Sequence, residues 1–172
     1  MLIMRPEQPM QYPAIHRIHE AAFGRAAEAD LVDALRKSPA YIRGLGIVAQ
    51  EDRQAVGHIL FTRIGIDNGE RILPAAALAP LAVLPDWQNA GIGGQLVRYG
   101  LQKCEELGFP LVVVLGHKRY YPRFGFEPAQ QYGISFPVAL DDPEHLMVCA
   151  AQPSTLKDAG GVVRYPPEFG VE

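Results

Sequence analysis

The segment Leu81-Ala82-Val83-Leu84-Pro85-Asp86-Trp87-Gln88-Asn89-Ala90-Gly91-Ile92-Gly93-Gly94-Gln95-Leu96-Val97 constrains the fold more than any other part of the chain. An apolar run, a turn and a glycine-rich helix start follow one another directly. The helical period continues through Ile92, Leu96, Val97, Leu101 and Cys104, predicting a helix over residues 92–107 that Gly108 ends. Leu111-Val112-Val113-Val114-Leu115 then reads as a fully buried strand. A strand, a helix and a second apolar strand imply a right-handed crossover and locally parallel pairing.

Upstream, residues 2–4 predict a short strand. Ile15, Ile18, Ala22 and Phe23 mark the inner face of a helix ended by Gly24, and Leu31, Val32 and Leu35 that of a second helix over residues 27–37. Strands are expected over 47–50 and 55–66, around the turn at 51–54. Asp67-Asn68-Gly69 predicts a hairpin into a strand over 71–84, because Asn-Gly tolerates the positive φ of tight turns. Pro80 cannot donate to a ladder and marks an edge or a bulge; the long apolar run around it favours a bulge. A turn or short helix at 120–124, a strand near Phe126 and a last strand over 146–151 complete one mixed α/β domain spanning 1–172.

The 172 residues carry a net charge of -3, with 48% hydrophobic and 20% charged residues, which disfavours nucleic acid and other polyanionic partners. No apolar stretch approaches a membrane span and the first residues do not form a signal peptide, so a soluble, cytoplasmic protein is expected. Cys104 and Cys149 lie on apolar segments without metal-ligand spacing and read as free core thiols. The 17 glycines and 15 prolines show no repeat, so they must serve discrete turns and close approaches.

A helix N-terminus leaves backbone N–H groups unpaired and carries partial positive charge, which suits a phosphate or pyrophosphate. Gly93-Gly94-Gln95 lacks the Lys-Ser/Thr of a Walker A loop. A dinucleotide fingerprint would place Gly or Ala where Leu96 stands and an acid after the next strand, where Gly116 and His117 stand. A helix-capping turn that binds nothing is the plain alternative.

Gln88-x-x-Gly91-x-Gly93 after Leu81-Ala82-Val83-x-Pro85, with the later Tyr121-Pro122-Arg123-Phe124-Gly125-Phe126, resembles the GCN5-related N-acetyltransferase (GNAT) superfamily. Pro80-Leu81-Ala82-Val83, Leu115-Gly116-His117 and Gly161-x-Val163-x-Tyr165-Pro166 resemble its YhbS-type branch. The resemblance implies a mostly antiparallel sheet with a splayed parallel central strand pair and flanking helices. It also implies acetyl-CoA as donor and direct transfer to an amine, with neither a metal nor an acyl-enzyme. The backbone of Leu81, Ala82 and Val83 would pair with the pantetheine arm, and amides of Gln88, Asn89, Ala90, Gly91, Ile92, Gly93 and Gly94 would hold the pyrophosphate.

Tyr121 stands four residues before Gly125, where the resemblance places the acid that protonates the CoA thiolate; Tyr120 is its neighbouring rival, and a structural role for both remains open. An amine with a lysine-like pKa is neutral in only about one molecule in 2,500 at pH 7, so a proton must be removed. Many family members use a Glu on the fourth strand, but residues 73–84 contain neither acid nor histidine. His117, after the fifth strand, is the better-placed substitute, against a structural loop role; His58 reads as a satisfied sheet residue, and water leading to solvent is an equal route. His16 and His19, three apart, read as a solvated helix face, and Lys118, Arg119 and Arg123 as surface charges. Trp87 reads as a packing anchor. The acceptor, small molecule or protein, is not encoded, and a homodimer stays open. The missing acid motivates a second reading, a CoA-binding sensor or interaction module with weak catalysis.

Overall fold

Local chemistry accounts for the turns that set strand register. The computed structural model describes residues 1–171. Helix α1 (Tyr12–Phe23) has Pro13 in its first turn and stops at Gly24, whose φ of 68° is left-handed. Helix α2 (Ala27–Arg36) carries Glu28 and Asp30 in its first turn and Arg36 in its last, each complementary to the helix dipole. Strand β1 (Leu2–Pro6) pairs antiparallel with β2 (Tyr41–Glu51), and β2 with β3 (Gln54–Asp67). Asp52 and Arg53 both take positive φ between β2 and β3, as a two-residue hairpin requires. In the turn before β4 (Ile72–Val83) only Gly69 takes positive φ. Asn68 contributes its side chain, which accepts from the N–H groups of Glu70 and Arg71 at 2.9 Å.

Helix α3 (Ile92–Glu106) leads to β5 (Leu111–Leu115), then the short β6 (Glu127–Pro128) and β7 (Ile134–Ser135), β8 (Leu146–Ala150) and β9 (Gly161–Arg164). The sheet runs in the order β1-β2-β3-β4-β5-β8-β6, with β9 paired to β3 and β7 to β9. Most pairs are antiparallel. The parallel β4–β5 ladder comprises Ala76 with Val112 and Ala77 with Val113, whereas β5 pairs with β8 over all five of its residues. Pro80 is buried inside β4, between β3 and β5 in strand order, so it does not mark a sheet edge; its bond to Ala79 is cis. No helix among the described residues is long and apolar enough to cross a membrane.

Two expectations are corrected. The strand over 146–151 is not the last, because β9 pairs Val163 with Ile66. Gly161 makes that approach, since a Cβ there would stand 2.6 Å from Asp67 O. Strand β2 also begins six residues earlier than the 47–50 expectation, a register shift between Tyr41 and Gly46 absorbing its two glycines.

The described residues form two compact units, Met1–Thr62 with Ala79–Lys103, and Arg63–Leu78 with the chain from Cys104 onward. In the first, α3 lies so close to β3 that a Cβ on Gly100 would stand 2.2 Å from the Phe61 ring. In the second, Val113 and Val148 pack with Ile66, Ile134, Leu146 and Val163. Both cysteines are free there, and burial pushes the Cys104 thiol up to about 12.

Candidate active site

In the first unit, the end of β4 and the start of α3 form one continuous backbone feature. Leu84 N–H donates to Val56 O at 2.8 Å, fixing the strand end. A 3-10 turn, Pro85–Trp87, follows, and its last residue, Trp87, is half-buried. Asn89 and Gly91 then take positive φ, 63° and 82°. Gln95 N–H is the first to bond within α3, onto Gly91 O at 3.1 Å, so the amides of Ile92, Gly93 and Gly94 precede the helical ladder. Gly57 on β3 seats this turn, because a Cβ there would approach Leu96, Ala82 O and Ile92 to 3.1–3.3 Å. The Gln88 side chain donates to Val83 O at 2.9 Å and ties the loop back to β4. The sequence signal for Gln88 was its spacing to Gly91; its bond to the strand was not legible there.

The first unit also holds a buried polar cluster. The Glu7 carboxylate accepts from Arg36 Nε and Nη2 at 3.0 and 2.9 Å, from Tyr41 O–H at 2.8 Å and from His58 Nε2 at 2.7 Å. Burial pushes this carboxyl upward, but the bonds from His58 and Arg36 outweigh it and hold the group well below the usual carboxylate range. Gly46 makes room, since a Cβ there would lie 2.5 Å from the carboxyl carbon. His58 is thus a satisfied sheet residue. His19 corrects the solvated-face expectation, for it is fully buried with Nε2 2.8 Å from His58 Nδ1. Burial, then the charges of His58 and Arg36, lowers its imidazole to about 3. His16 meets Asp33 at 2.7 Å, and Asp30 brings a third potential ligand atom within 4.8 Å, a grouping supplied by α2 that the spacing of His16 and His19 could not reveal.

In the second unit, Tyr121 opens the 3-10 turn Tyr121–Phe124, which closes on Gly125 at φ 95°. Tyr120 and Tyr121 N–H groups both donate to His117 O, at 3.0 and 3.3 Å. The Tyr121 ring packs edge-on against Tyr120 and Phe126, with centroids 5.1 and 5.6 Å away. Among the described residues its hydroxyl has no hydrogen-bond partner, and burial, with a smaller contribution from Tyr120, raises the phenol to about 12. The His117 side chain is exposed. Lys118 pairs with Asp142 and Glu144, and Arg123 covers the Tyr120 ring at 4.7 Å.

The Acetyltransferase (GNAT) domain model matches residues 4–129. The chain belongs to the GNAT acetyltransferase family. It is 41% identical over 152 residues to the uncharacterized N-acetyltransferase YjhQ of Escherichia coli K12, covering 83% of this chain and 81% of that relative. Among solved structures, E. coli YhbS in complex with CoA superposes with a TM-score of 0.90 at 30% identity, covering 98% of this chain and 92% of its own. A GNAT acetyltransferase from Brucella melitensis in complex with acetyl-CoA gives 0.79 at 33% identity, with 98% of each chain covered. The YhbS-type resemblance read from the short motifs therefore holds across nearly the full length of the chain.

Proposed function

We propose that this acetyltransferase moves an acetyl group from acetyl-CoA to a primary amine by direct attack in a ternary complex. The start of α3 carries the reading: the amides of Ile92, Gly93 and Gly94 stand free of the helical ladder behind Gly91. Their donors and the dipole of a 15-residue helix suit a pyrophosphate, with Gln88, Asn89 and Ala90 adding the amides of the preceding loop. Structural neighbours in complex with CoA and acetyl-CoA support the same donor for this chain. The backbone of Leu81, Ala82 and Val83 takes the pantetheine arm as an added strand, one N–H polarising the thioester carbonyl. Gln88 uses one lone pair of Val83 O and leaves the second for the cofactor.

The amine nitrogen attacks the thioester carbon and forms the C–N bond. As the C–S bond breaks, its electron pair leaves on sulfur, which takes the proton of the Tyr121 hydroxyl. The new nitrogen centre sheds one proton to His117 or to water, and the phenolate regains one. A phenol is protonated at neutral pH at its ordinary value, and burial raises Tyr121 further, so it holds a proton to give.

Calorimetry with CoA and thiol release from acetyl-CoA with an amine panel test this. Gly93→Val should weaken CoA binding, and Tyr121→Phe should reduce turnover while retaining it. Undiminished binding in the first variant would sink the pyrophosphate site. Tight binding without thiol release would instead favour a CoA-binding module.

A further inference from the structure

We infer that Gly116 is a positioning residue for the Tyr121 hydroxyl, an inference that rests on the acid role proposed above. Gly116 follows β5 directly and is anchored by its N–H on His145 O at 2.9 Å. A Cβ built on it would stand 2.4 Å from Tyr121 Cε2, 3.0 Å from Cδ2 and 3.4 Å from Cζ. Gly116 is not among the positive-φ glycines, so the ring, not the backbone conformation, demands the missing side chain.

The ring has little freedom to move aside. Tyr120, Phe124 and Phe126 surround it at centroid distances of 5.1, 6.4 and 5.6 Å, and both phenylalanines are buried. The turn that carries it is tied to His117 O, one residue beyond Gly116. Relieving the 2.4 Å approach therefore shifts Cε2 by about 1 Å, and Cε2 adjoins the carbon that bears the hydroxyl. Misplacing a reacting group by about 1 Å costs on the order of 10²-fold in rate. Residue 116 thus sets where the proton is delivered.

The test compares wild type, Gly116→Ala, Tyr121→Phe and the double variant in thiol release from acetyl-CoA with an amine panel, with CoA affinity measured for each. Gly116→Ala should lower turnover about 10²-fold with CoA affinity within about twofold of wild type. Added to Tyr121→Phe, it should change turnover by less than about twofold, because no hydroxyl remains to misplace. An equal loss in both backgrounds, or unchanged turnover in Gly116→Ala, overturns the inference. Unchanged turnover in Tyr121→Phe alone instead overturns the acid role on which it rests. Melting temperature gives a readout independent of activity: Gly116→Ala should lower it, and lower it less when Tyr121 is replaced by Ala. Equal lowering in both backgrounds removes the contact.

Discussion

His58 Nε2 lies 2.7 Å from the Glu7 carboxylate, and both side chains are buried. An ionised carboxylate only accepts, so His58 donates from Nε2 and, being neutral, accepts at Nδ1. His19 must then donate its Nε2–H to His58, leaving the buried Nδ1 lone pair that has no partner. One carboxylate thereby fixes the tautomers of two histidines.

Replacing Glu7 should therefore be costly. The Arg36 side chain is only 7% exposed, and Glu7→Ala leaves it with Asp33 as its remaining carboxylate and the Tyr12 ring face, while stranding the His58 donor. Breaking a buried pair in this way costs about 3–5 kcal/mol. Urea denaturation should show the midpoint falling accordingly; a loss below about 1 kcal/mol would mean that Arg36 and His58 find other partners.

The same cluster sets a pH dependence. The imidazoles of His19 and His58 are depressed in the folded state by burial, so the unfolded chain binds protons that the folded chain refuses once pH falls below about 6.5. Stability rises with pH wherever the unfolded state holds more protons. It should therefore be steady above that point, decline as pH falls toward 5, and decline more steeply below about 4.5, where the depressed Glu7 carboxyl adds its share. Denaturation curves at pH 7.5, 6 and 5 check the sign, and equal stability at 7.5 and 5 would contradict it.

Gly100 sets two effects against each other. Alanine would favour helix α3 by about 1 kcal/mol, yet its Cβ would lie 2.2 Å from Phe61 Cε2, and overpacking of this kind costs about 1–3 kcal/mol. Phe61 is fully buried, so packing should win and Gly100→Ala should lower the melting temperature, each kcal/mol being about 2–4 °C for a chain of this size. In a Phe61→Leu background the substitution should become neutral or favourable. A stabilised single variant would refute the close packing of α3 on β3.

What the sequence made legible follows from range. Leu111 to Leu115, the period from Ile92 to Cys104 and the Asn68-Gly69 turn are local signals, and each element lies where its period or turn residues put it. Strand β9 is not legible because its four residues, Gly161 to Arg164, are too few to carry a period, and only pairing with Gly65, Ile66 and Asp67 on β3 and with Ile134 and Ser135 on β7 makes them a strand. His19 was misjudged for a similar reason. Three-residue spacing names a helix face but not what packs on it, and the partner, His58, lies 39 residues away. The spacing of Gln88, Gly91 and Gly93 exposed the backbone site, whereas the pressure of Tyr121 on Gly116 exists only in three dimensions.

Gln88 should act on ligand affinity through the loop that its side chain holds. Its side chain is exposed apart from one bond to Val83 O at 2.9 Å, and that bond holds the loop leading to the amides of Ile92, Gly93 and Gly94. A hydrogen bond of this kind is worth about 0.5–1.5 kcal/mol, which corresponds to an affinity loss of about 2- to 12-fold if the loop must be ordered again on binding. Gln88→Ala should weaken CoA binding by that amount in calorimetry, while urea denaturation should show the unfolding free energy falling by no more than about 1.5 kcal/mol. Unchanged CoA affinity would show that the loop is held in place by Gly91 and the turn at Pro85–Trp87 without the side chain.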